Sequence, residues 1–185
     1  NANDVLPTNA DGTLPMQPNA DLFFLSGIEQ EESILVLFPD AADEKQREIL
    51  FVREPNEHLQ IWEGYKHSKP DARKISGIKN VQWLSEFPVI FRSLMCEAES
   101  AYLNSNEYKR AHVEVETRDV RFIKQCQADF PLHTYRRLAP LLHELRVVKT
   151  DLEIELLKEA VDITAKGFRR TLRFVKPGVA EYEVE

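Results

Sequence analysis

An α/β fold built on a mixed sheet is predicted by three patterns in this 185-residue chain. Short apolar runs come first, at Leu22–Leu25, Ser33–Phe38 and Glu48–Arg53. Strand-like and helix-like segments then alternate from Val81 to Arg137. A long stretch of helical periodicity follows Thr150. Strands followed by strand–helix alternation is the order that builds a sheet flanked by helices.

Each element has a local reason. Residues 1–20 are rich in Asn, Pro, Asp and Thr and read as extended or looping chain. Leu22-Phe23-Phe24-Leu25 before Ser26-Gly27 reads as a short strand entering a turn. Ser33–Phe38 is almost continuously apolar, the signature of a strand buried on both faces, and Glu48–Arg53 is a third strand. Their short connection predicts antiparallel neighbours. Asp71–Ile75 supports a helical turn before Gly77. Val81–Leu84 reads as a strand, with Ser85 capping a helix to about Ala98 whose inner face is Phe87, Ile90, Phe91, Leu94 and Met95. Ala101–Leu103 should return to the sheet. A helix from Thr117 to Asp129 turns Val120, Ile123 and Cys126/Gln127 inward, and His133–Arg137 is extended.

The last segment is the most regular. Thr150-Asp151-Leu152-Glu153 has the form of a capping box, in which threonine and glutamate each satisfy the other's backbone amide. Ile154, Leu157, Val161, Thr164, Phe168, Leu172 and Val175 then recur at steps of three and four along one helix face. A helix of roughly 25 residues would be about 37 Å long. Lys176-Pro177-Gly178 ends it, and Ala180–Glu185 opens another helix. Little chain follows to cover that stripe, so the sequence is expected to be a fragment cut just inside a second domain.

Bulk properties exclude several classes. A formal charge of −7 with dispersed Lys and Arg argues against a nucleic-acid face. No apolar run reaches the roughly 20 residues of a membrane span. Cys96 and Cys126 are far apart, which suits two free thiols in a reducing cytoplasm. His58, His67, His112, His133 and His143 form no zinc signature and are expected at solvent or junction contacts. The acidic pairs Glu31/Glu32 and Glu114/Glu116 are expected to be solvated. There is no glycine-rich phosphate loop and no G-x-S-x-G elbow. Catalytic and metal-ligating residues are therefore expected to be absent. Trp62 remains: a large aromatic in a charged loop beside Gly64 either packs within its own domain or anchors a partner or ligand.

Three stretches in order resemble the N-terminal part of Xaa-Pro aminopeptidases of the creatinase/prolidase group. They are Asp21–Ile28 with Ile34–Leu37, Ile61-Trp62-Glu63-Gly64-Tyr65-Lys66 with Gly77-Ile78 and Leu84–Phe87, and Leu141–Thr150 with Glu153-Ile154 and Lys176–Glu181. The sequence departs from that pattern at Lys66, where arginine is frequent, and at Glu29-Gln30-Glu31, where Asn-Glu-Pro is common.

The resemblance implies a ribonuclease-H-like N-terminal domain over residues 1–149. Residues 150–185 would begin a truncated pita-bread metallopeptidase domain. It implies that the whole protein is a cytoplasmic homo-oligomer, dimer or tetramer, that acts on proline-containing peptides and releases the residue before proline. Two divalent metal ions, manganese by preference, would serve that chemistry from ligands beyond Glu185, leaving this fragment inactive alone. The N-terminal domain itself would support oligomer contacts and shape substrate access, with Trp62 as its substrate-binding residue. The alternatives are a prolidase acting on Xaa-Pro dipeptides, or a metal-free relative serving as a peptide- or histone-binding module. Neither nucleic acid nor membrane is expected as a partner.

Overall fold

Four consecutive apolar residues, Ile49 to Val52, organise the structure. This computed structural model describes residues 1–56, 60–61, 63–110 and 114–184. Ile49–Val52 lie in the central strand of a three-stranded mixed sheet of order β1-β2-β3. The strands are β1 (Ile34–Leu37), β2 (Glu48–Val52) and β3 (Asn80–Trp83). β1 pairs antiparallel to β2, Ile34 opposite Phe51, and β3 pairs parallel to it, Val81 opposite Leu50. Alternation along β2 sends its side chains to both faces. Leu50 and Val52 pack with Ile28, Ala72, Ile78 and Val81, while Ile49 and Phe51 pack with Ile34 and Leu94. The side chains of Ile49, Leu50, Phe51 and Val52 are each at most 1% exposed. Each contributes about 1.5–3 kcal/mol of burial.

Helices cover both faces, as the sequence predicts for an α/β chain. On one side lie α1 (Ala20–Ser26) and α2 (Lys69–Ser76); on the other lies α3 (Phe87–Glu97). A second, two-stranded parallel sheet joins β4 (Ser100–Leu103) to β5 (Thr134–Arg137), with α4 (Arg118–Asp129) between them in sequence. An aromatic chain runs from Phe51 through Phe87, Phe91 and Phe122, with centroid separations of 5.1, 4.9 and 5.4 Å. Phe122 belongs to the packed face of α4 beside the expected Cys126, whereas Gln127 is exposed.

Four local expectations are corrected. Leu22–Leu25 is helical, because the Asn19 side chain accepts from the amides of Asp21 and Leu22 and Gly27 closes the helix at φ +66°. β1 is an edge strand with Leu37 half exposed, and the strand buried on both faces is β2. Ser85 sits inside a 3₁₀ turn, Leu84–Glu86. That turn is closed by Glu86, whose carboxylate accepts from Trp83 N at 2.9 Å, and α3 begins at Phe87 with Pro88 in its first turn. β4 pairs with β5 and not with β1–β3.

The N-terminal arm is tied down. Ala2 N donates to Ser33 O at 2.7 Å, and Asp4 accepts from Arg118 N at 2.9 Å and from Arg121 at 2.6 Å.

Residues Leu141–Glu185 form a second compact unit, separate from Asn1–Pro140. α5 (Ala139–Val147) crosses the division, and α6 (Asp151–Phe174) follows. The capping box is present: Thr150 N donates to Glu153 at 2.8 Å and Glu153 N donates to Thr150 Oγ1 at 3.3 Å. At 24 residues α6 is about 36 Å long. Its predicted stripe is exposed, with Leu157, Val161, Phe168 and Leu172 each more than half accessible. The stop at Lys176-Pro177-Gly178 holds, but the following segment is a 3₁₀ turn, Glu181–Glu183.

Candidate functional site

The loop that the sequence singles out is built from polar contacts. Gln60 N donates to Asn56 O at 2.9 Å and Gly64 N to Gln60 O at 3.2 Å. Gly64 itself lies at φ +77°, a conformation costly for any residue with a Cβ. Ile61 and Tyr65 are exposed on either side. Trp62, the sequence-predicted binding residue, lies outside the described residues, as do His58 and His112.

Beyond Gly64 the chain is pinned by charge. Lys66, only 6% exposed, places Nζ 2.5 Å from Glu31 Oε1 and 3.6 Å from Glu63 Oε2, and donates to Glu63 O at 3.2 Å. Arg53, at the end of β2, completes the cluster: Nη1 lies 2.7 Å from Glu63 and 3.4 Å from Glu31, and Nε lies 3.5 Å from Glu32. Buried Gln30 bridges the same segments. It donates to Arg53 O at 3.3 Å and accepts from His67 N at 2.7 Å. Burial alone would raise the Glu31 pKa, yet it is held below the usual carboxylate range. The Lys66 hydrogen bond, a backbone amide and the charges of Lys66 and Arg53 together outweigh the lost solvation. Glu31 was expected to be solvated. The structure buries it to 13% exposure, because two cations from distant segments converge there.

The loop then enters α2. Ser68 caps that helix by accepting from Asp71 N at 3.3 Å, and Asp71 in turn accepts from Tyr65 Oη at 2.6 Å. Hydrogen bonds from Ser68 and Tyr65 lower the Asp71 pKa, and the same Asp71 contact raises that of Tyr65. His67 packs edge-on to Tyr65 at 5.7 Å, and among the described residues its buried Nδ1 has no hydrogen-bond partner. His133 Nε2 lies 2.6 Å from Met95 O, and His143 is exposed.

This arrangement is a mount, with no nucleophile–base pair among its contacts. Among the described residues no group of three His, Cys, Asp or Glu could hold a metal ion, so these residues do not fit the metal pair that the resemblance implies. Among them, too, no helix is long and apolar enough to cross a membrane. The sequence signal for the mount was Lys66 itself, a lysine in an otherwise surface-like loop, but nothing local marked Glu31 or Arg53 as its partners.

Fold and loop together define a mixed-sheet α/β domain that presents a charge-anchored surface loop. The sequence profile described as "Aminopeptidase P, N-terminal domain" matches residues 1–103. The chain belongs to that family. It is 27% identical over 178 residues to the Xaa-Pro aminopeptidase of Escherichia coli (strain K12), covering 96% of this chain and 40% of that protein. It is 24% identical to the Xaa-Pro aminopeptidase of Haemophilus influenzae, covering 38% of that protein. Among solved structures, one described as "a putative aminopeptidase P from Bacillus anthracis" superposes with a TM-score of 0.83 at 29% identity over 98% of this chain and 43% of that one. Zinc-substituted E. coli aminopeptidase P in complex with product gives 0.76 at 26% identity, over 99% and 42%. The chain therefore spans about two-fifths of the length of these relatives.

Proposed function

We propose that this chain is the non-catalytic N-terminal domain, with the start of the catalytic domain, of a Xaa-Pro aminopeptidase. In this reading the catalytic domain begins at Thr150, inside the second compact unit that starts at Leu141. The protein releases the N-terminal residue that precedes proline, using two divalent ions, manganese by preference, held outside these residues. Support comes from the family match over residues 1–103 and from relatives named Xaa-Pro aminopeptidase that align over nearly the whole chain. The observation that carries a substrate-access role is the mount of the 60–67 loop. Exposed Ile61 and Tyr65 ride on a segment whose one buried side chain among those described is an ion-paired lysine. Trp62, within that loop, contacts the peptide and narrows access, and the domain also carries homo-oligomer contacts. Two unpaired cysteines are in keeping with a cytoplasmic location.

Kinetics of Trp62→Ala in the native protein test this reading. Loss of a contact made equally in ground and transition states raises KM and leaves kcat. Unchanged KM for Xaa-Pro peptides would remove Trp62 from the substrate path.

A further inference from the structure

Between Gly64 and Ser68 the loop has no apolar anchor. Tyr65 is two-thirds exposed, His67 is half-buried, and the one buried side chain is Lys66. A buried ammonium is tolerated only when its charge and its donors are satisfied. Here the satisfaction comes from two places at once: Glu63, within the loop, and Glu31, on the turn before β1. Arg53 contacts both of those carboxylates from the end of β2, and Gln30 ties the neighbouring backbone at His67 to the backbone of Arg53. The loop is thus registered to the sheet by an ion pair on buried Lys66 and by the buried Gln30 amide, residues that are not members of the apolar core clusters.

We propose that Glu31 and Lys66 are positioning residues: their ion pair holds segment 63–67 in one place against the 29–32 turn. Resting on the access role proposed above, this pair fixes the loop from which Trp62 meets the peptide. Lys66 offers up to three donors, and among the described residues three oxygens lie within 3.6 Å of it: a carboxylate oxygen each from Glu31 and Glu63, and the Glu63 carbonyl. Neutralising Glu31 removes the charge of the nearest of them, even where an amide oxygen stays in place, and leaves the ammonium under-compensated, so the segment must move outward to rehydrate it. The core should stay folded, because β2 and its apolar neighbours are untouched.

Amide hydrogen exchange on the native protein that carries this chain tests the claim directly. Glu31→Gln should speed exchange of residues 63–67 by about tenfold or more, the scale expected when a buried pair is broken. Amides of β2 should keep their wild-type protection. Lys66→Arg, which retains the charge and can still reach both carboxylates, should stay within about threefold of wild type, whereas Lys66→Met should behave like Glu31→Gln. Unchanged exchange in Glu31→Gln would overturn the proposal. So would acceleration spread equally through β2, which would mark a general structural role. In the native protein the same Glu31→Gln change should raise KM for Xaa-Pro peptides. A loop loosened by exchange with KM unmoved leaves the ion pair established as the anchor, and the access role is then what fails.

Discussion

Phe51 and Phe87 meet edge to face, their ring centroids 5.1 Å apart and their planes at 86°. The contact joins the central strand to the first turn of α3, with Phe51 fully buried and Phe87 partly so. Phe51→Ala should cost about 3–5 kcal/mol, by lost transfer energy plus cavity. Phe87→Ala should cost less, because water can reach part of the site. Urea unfolding followed by circular dichroism measures both, and a larger loss at Phe87 would contradict this view of the core.

Tyr135 anchors β5 to the end of α4. Its Oη lies 2.6 Å from Cys126 O and 2.8 Å from Phe130 O, carbonyls that also accept from Phe130 N at 2.8 Å and His133 N at 3.2 Å, so the hydroxyl ties the strand to the helix's closing turn. Tyr135→Phe should lower stability by about 1 kcal/mol with the fold intact. Thermal unfolding of the two proteins provides the check.

The two thiols should differ sharply. Cys96 is exposed, while Cys126 is 1% exposed and burial, with the charge of Asp129 adding to it, pushes its pKa up to about 11. At pH 8 a thiol reagent should modify one cysteine per native chain and the second only after denaturation. Rapid native modification of both would contradict the placement of α4.

Acid should release the 63–67 segment. The Glu31 pKa is depressed in the folded chain, so its contribution is fully present above the ordinary glutamate range. It is lost as pH falls through the lowered value. Exchange of the 63–67 amides, corrected for the intrinsic effect of pH, should accelerate in that acid window. Glu31→Gln should flatten this dependence.

What could be read from the sequence was whatever depended on near neighbours. The Thr150–Glu153 box, the period of α6 and the span of α4 from about Thr117 to Asp129 are local and appear as expected. Leu22–Leu25 failed because four apolar residues in a row carry no period of their own. The decisive signals, Asn19 and Gly27, lay just outside the run. Which strand was central depended on pairing, and β1 and β2 look alike until β3 joins one of them. The site was less legible still. Lys66 and the Glu29–Glu31 stretch, noted separately as departures from the family pattern, meet across 35 residues of sequence, and only the fold brings them together.

One assay bears on the whole account: release of the first residue from an Xaa-Pro-Xaa tripeptide, with manganese supplied. The protein that natively carries this chain should liberate that residue, and residues 1–185 by themselves should not. Intact tripeptide in the presence of the native protein, or cleavage by the 185-residue chain alone, would contradict it.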